Sequence, residues 1–159
     1  MFDRLSDGIL LEEPTNKKKF SPGARANGLG RMHEKTVEVA LQHFNLDYKI
    51  HQNICESIYG SKLYTDFVVS GIPRFKNGLA IESKYQGSSG SADEKFPYLV
   101  ANIKEKFPIP CIILCSLDSA RKKSVDWLFK QADGQKLIEI FKYDKFPTWL
   151  HKEMLPYEE

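Results

Sequence analysis

One run limits the fold of this chain more than any other: PCIILCS, residues 110 to 116. Successive side chains of a strand point to opposite faces. Nothing polar interrupts Cys111 to Cys115, so both faces of this strand have to be covered. A sheet covered on both faces needs a layer of helix on each side.

The rest of the chain supplies those layers. Glu34, Val37, Leu41 and Phe44 follow 3, 4, 3 spacing, which predicts a helix over 31–44. Strand candidates follow at 47–56, 62–70 and 78–86, separated by Gly60 and by the turn-rich stretch 73–78. Three strands with short connections predict an antiparallel meander. Ser91 and Glu94 have capping-box spacing. The helix they announce runs to about 106, with Phe96, Leu99, Val100 and Ile103 as its apolar stripe. It starts at Ser91 or at Phe96, and the second choice suits Pro97. Residues 119–131 read as another amphipathic helix, with Gly134 as its stop, and 136–143 as a last strand. The order α-β-β-β-α-β-α-β predicts a mixed α/β fold of the α+β kind, a central mixed sheet flanked by helices.

With 159 residues, 42% apolar and 28% charged, the chain has the make-up of one globular domain. We divide it into a basic, partly flexible arm over 1–29 and a core domain over 30–159. The arm starts acidic: Asp3, Asp7, Glu12 and Glu13 stand against Arg4. Then Lys17, Lys18, Lys19, Arg25 and Arg31 follow with no acid among them. SPGARANGLG, inside this stretch, is rich in Gly and Ala and reads as irregular. Such an arm can follow a phosphate backbone, or it is a solvated leader. No apolar run approaches the roughly 18 residues of a membrane span, and Pro14 breaks an acidic start unlike a signal peptide. Cys55, Cys111 and Cys115 form no disulfide or zinc pattern, and the four histidines have no zinc spacing. A cytoplasmic location is the expectation.

Residues 79 to 87, LAIESKYQG, carry the chemistry. Strand alternation puts Ala80, Glu82, Lys84 and Gln86 on one face of an otherwise apolar strand. In the strand over 62–70, Tyr64, Asp66, Val68 and Ser70 share a face, so pairing of the two strands can bring Asp66 beside Glu82 and Lys84. Buried ions cost several kcal/mol when uncompensated, and adjacent carboxylates repel. A divalent cation removes that objection. Mg²⁺ takes one or two carboxylates together with waters and substrate phosphate, and the Ser83 carbonyl offers a further ligand. Lys84 would activate or orient the attacking water, or stabilise charge on a phosphoryl group. The alternative for Glu82 and Lys84 is a solvated surface pair, against which stand the apolar neighbours Leu79, Ala80 and Ile81.

The pattern Asp66, then Glu82-Ser83-Lys84, resembles the PD-(D/E)xK nuclease superfamily, and the element order from about 30 to 143 resembles its restriction endonuclease-like α-β-β-β-α-β core. The resemblance implies that Asp66 and Glu82 hold Mg²⁺, for which Mn²⁺ can substitute, and that Lys84 assists the water. It also implies a metal-side role for Glu34, like the helix Glu of many members, and a catalytic-site role for Gln86, like the polar residue some keep after the lysine. Glu34 has a plainer alternative as compensation of a helix dipole near a helix start, and Gln86 as the beginning of the loop. The family's Pro before the Asp is Thr65 here. Ser88 and Ser89, in the GSSG after the motif, would let a phosphate backbone approach, and Lys95 follows them. The resulting expectation is a Mg²⁺-dependent endonuclease acting on DNA, of restriction-like or homing and mobile-element type, working as a homodimer or larger assembly and contacting DNA also through Lys17, Lys18, Lys19, Arg25 and Arg31. The alternatives are a silent nuclease-fold binding module, or a nuclease acting on RNA or branched DNA.

Overall fold

A computed structural model describes residues 22–86 and 91–156; side chains at 22–27, 29, 91 and 92 are outside the description. The elements in order are α1 (Pro22–His43), β1 (Asp47–Glu56), β2 (Lys62–Ser70), β3 (Leu79–Tyr85), α2 (Phe96–Glu105), β4 (Cys111–Ser116), α3 (Lys122–Phe129), β5 (Leu137–Lys142) and α4 (Phe146–Met154). Short 3₁₀ turns, Ser91–Lys95 and Tyr143–Lys145, lead into α2 and α4.

The five strands lie side by side in chain order. β1, β2 and β3 are an antiparallel meander, while β3, β4 and β5 run parallel. The sheet is therefore mixed, as its strand connections require. β4 obeys the rule its sequence announces: Ile112 and Leu114 are buried on the α1/α4 side, and Cys111, Ile113 and Cys115 on the α2/α3 side. From α1, Val37, Ala40 and Leu41 enter the first core, joined by Phe67, Val69, Leu79 and Ile81 from the sheet. Val100 and Ile103 of α2 and Leu128 of α3 close the second core. Gly78 lets the chain turn tightly into β3. Its φ is +102°, and a Cβ there would lie 3.3 Å from the Val69 carbonyl oxygen.

Three sequence expectations are corrected. From Pro22 onward the stretch SPGARANGLG is not irregular, because α1 already starts there. Proline suits a first turn, Ala24 and Ala26 are strong helix formers, and a helix anchored downstream by Val37 and Leu41 propagates through Gly28 and Gly30 at about 1 kcal/mol each. Glu34 is therefore well inside α1, not near a helix start, and dipole compensation does not explain it. The chain also has a further helix, α4, beyond the last expected strand; Pro147 stands in its first turn, where it is tolerated, and Phe146 and Leu150 are buried against the first core. The helix after the GSSG loop begins at Phe96, preceded by the 3₁₀ turn. No helix among the described residues is long and apolar enough to cross a membrane.

Candidate active site

The site forms where the sheet opens. β2 pairs with β1 along its whole length, and β3 pairs with β4 from Ala80 to Tyr85. Between β2 and β3 the registered pairs are only Val69↔Leu79, Val68↔Ala80 and Phe67↔Ile81. One step further, Asp66 and Glu82 face each other across the start of a fork. The Ala80 and Gln86 N–H groups donate toward β4, so alternation turns the Ser83 N–H toward β2. No β2 carbonyl pairs with it there. The Asp66 carboxylate fills the gap: Ser83 N–H donates to Oδ2 at 2.7 Å. Asp66 thus substitutes for the missing rung and is fixed at the mouth of the fork.

Glu82 is 3% exposed, and its Oε2 receives Lys84 Nζ at 2.8 Å. Burial pushes the Glu82 carboxyl up, Asp66 adds to this, and Lys84 and the Thr65 hydroxyl offset part of it. Burial also works against the Lys84 ammonium, but Glu82 and Asp66 more than reverse that and hold it above the ordinary lysine value. Lys84 is thereby kept protonated. Glu34, half-buried on α1, feels the same centre. Burial raises its carboxyl first and Asp66 second, while Lys84 and Arg31 pull it down.

Three contributors escaped the sequence reading. Ser83 Oγ and the Tyr143 hydroxyl hydrogen-bond to each other. The His33 ring stacks on Tyr143 at 4.3 Å between centroids and lies 5.1 Å from that of Tyr85. This column ties α1, immediately beside Glu34, to the strand that carries the motif. Burial lowers the His33 pKa and favours a neutral ring. The third is Thr65, 1% exposed, whose hydroxyl favours the Glu82 carboxylate and also reaches the Ile81 carbonyl at 3.4 Å. Its replacement of a proline was visible in the sequence; the hydroxyl's role was not. Tyr143 and His33 left no sequence signal, because only the folded sheet brings them together.

The other expected residues separate. Gln86, 7% exposed, and Lys95, exposed, line one cavity with Glu82 and Lys84. Arg31 is exposed on α1, close enough to act on Glu34. Lys17, Lys18, Lys19, Ser88 and Ser89 lie outside the described residues, as does the Arg25 side chain. Among the described residues, no group of three His, Cys, Asp or Glu side chains could hold a metal ion. A hard cation of the Mg²⁺ kind needs only one or two carboxylates. Asp66 and Glu82 provide two on opposing strands, close enough for one to raise the pKa of the other, so the donor chemistry fits.

A mixed sheet between helix layers, with an acid on β2 and an acid and lysine one residue apart on β3, defines a restriction endonuclease-like fold. A sequence model of the PD-(D/E)XK nuclease superfamily domain matches residues 25–154. The chain belongs to that superfamily, and its domain is of nuclease type. Neither a curated protein nor a solved structure matches it significantly.

Proposed function

We propose that this chain is a Mg²⁺-dependent endonuclease that hydrolyses DNA phosphodiester bonds, with Mn²⁺ able to replace Mg²⁺. The observation that supports it best is the meeting of Asp66, Glu82 and Lys84 at the fork of β2 and β3. Asp66 and Glu82 would hold the cation. The Ser83 carbonyl would join them, because strand alternation aims it into the fork like the Ile81 carbonyl two residues earlier. Bound there, the cation would polarise the phosphodiester and acidify a water.

The chain's own residues have separable tasks. Lys84 is held as an ammonium, so it donates: it would orient the attacking water and stabilise charge on the phosphoryl oxygens. Glu34, with its carboxyl raised by burial and by Asp66, suits acceptance of the water's proton better than an ordinary carboxylate. Gln86 would orient substrate at the edge of the site. Arg31 and Lys95 would meet phosphates, together with Lys17, Lys18, Lys19 and Arg25, while Ser88 and Ser89 let the backbone approach. One such site cuts one strand, so a double-strand break calls for a homodimer or larger assembly.

The test is cleavage of whole phage DNA and of supercoiled plasmid with Mg²⁺, with EDTA, and with Lys84→Ala. Cutting should require the cation and fall by about 10²- to 10⁴-fold in the variant. Unaltered cutting by Lys84→Ala would remove the lysine from the mechanism. Salt-sensitive binding without any cutting would turn the reading into a nucleic-acid-binding module.

A further inference from the structure

Beside the Glu82–Lys84 pair, on the α2 side of the sheet, lies a cavity of about 380 Å³. It is at the small end of the ligand-pocket range, about 300–1,000 Å³. That is room for part of a nucleotide and not for a duplex. Tyr85 and Phe96 line it, and so do two further aromatics, Tyr64 from β2 and Tyr98 from α2. Both rings belong to stacks that continue onto the surface. His51 stacks on Tyr64 at 4.7 Å and 10° between planes, and Tyr59, 79% exposed, stacks on Tyr98 at 5.2 Å and 22°. His51 stands between the pairs Ile50↔Phe67 and Gln52↔Thr65, level with Asp66, and its φ is +48°. Non-glycine residues are uncommon in that left-handed region.

Among otherwise apolar walls that include Leu63, Leu99 and Leu117, a few polar groups suit a base beside a phosphate. Gln86 brings an amide, a group that pairs with base edges. Exposed Lys95 and the ion-paired Lys84 bring cations to it. Asn102 Oδ1, on α2, accepts from the Ile58 N–H at 2.8 Å. The turn between β1 and β2, which carries Tyr59, is thereby tied to α2, which carries Tyr98.

We propose that this cavity receives one unstacked nucleobase next to the scissile phosphate, so that the substrate is nucleic acid carrying an unpaired or extrahelical nucleotide at the cut. The proposal rests on the nuclease reading for which phosphate is attacked, but base capture itself can be measured without cleavage.

The probe is fluorescence-anisotropy binding, in EDTA, of a single-stranded oligothymidylate and of an abasic oligonucleotide of the same length and charge. Contacts to phosphate alone bind both equally. A base on aromatic walls should favour the oligothymidylate by about 5- to 150-fold, the range of base–aromatic stacking. Tyr98→Ala and Tyr64→Ala should each reduce that preference, and Tyr98→Phe should keep it because the ring remains. Tyr64→Ala guards against misfolding at Tyr98, since Tyr64 is 44% exposed on a strand. A duplex with a single 2-aminopurine then separates two sources of the base. A rise in fluorescence on binding means that the protein extracts a paired base, and a preference for bulged over fully paired DNA means that it takes one already unpaired. Equal affinity for the oligothymidylate and abasic strands, or a preference untouched in both alanine variants, would overturn the proposal. Base-dependent binding without cutting in Mg²⁺ would leave base capture standing and remove the nuclease reading, and with it the scissile phosphate.

Discussion

From Cys111 to Cys115 every side chain of β4 is buried, whereas no residue of β1 is, and Ile50 in its middle is 55% exposed. The two strands belong to one sheet but to different halves. The parallel half, β3 to β5, is sandwiched between helix layers. The antiparallel half, β1 and β2, has much of its surface in water. The site lies at the seam, where β2 follows β1 and β3 follows β4 and the ladder between them stops after Phe67↔Ile81. A fully closed sheet would leave no opening for a charged group, and a fully exposed one would give Asp66 and Glu82 no reason to interact strongly. The seam provides burial on one side and access on the other.

Core truncation sharpens that comparison most. Ile113→Ala in β4 should cost about 2–5 kcal/mol in urea unfolding, and Ile50→Ala in β1 no more than about 0.5 kcal/mol. Equal losses would mean that the two halves are covered alike. An intermediate effect is expected at the seam. Lys84→Met removes the ammonium that offsets the burial of Glu82, and stability at neutral pH should fall by about 1.5–3 kcal/mol, kept modest because Lys84 is 35% exposed on its side chain. Glu82 is an acid whose pKa is raised on folding, so the folded state keeps its proton to higher pH than the unfolded chain does. The deficit should therefore be largest above the raised pKa and shrink as the pH falls through it toward 4.5, the ordinary glutamate value. A deficit that stays constant with pH would show that Glu82 is not the group left uncompensated. The smallest effect belongs to the column that ties α1 to β3. Tyr143→Phe keeps the ring on His33 and loses the bond to Ser83, for about 0.5–1.5 kcal/mol.

The legible part of this molecule was what alternation and period control. PCIILCS could only be a doubly covered strand, and Asp66, Glu82 and Lys84 stood out because they interrupt apolar strands at positions a fold would otherwise fill with Val or Ile. The start of α1 was hidden because Gly28 and Gly30 lower local helix propensity, and the packing that rescues it comes from residues further along. α4 was hidden behind Pro147, which reads as a breaker unless the first turn is known to begin there. His33, Tyr143 and Thr65 were invisible for a different reason: each acts through a neighbour distant in sequence, and no spacing rule encodes that neighbour.

The central claim is that Asp66 and Glu82 together form a hard-cation site for which Lys84 competes. Titration of Mn²⁺ into the wild type, Asp66→Asn, Glu82→Gln and Lys84→Met, followed by calorimetry, tests it directly. The account predicts binding by the wild type, a loss of at least about tenfold in Asp66→Asn and in Glu82→Gln, and binding by Lys84→Met at least as tight as by the wild type, because Glu82 Oε2 is released. Unchanged Mn²⁺ affinity in Asp66→Asn and Glu82→Gln would contradict it.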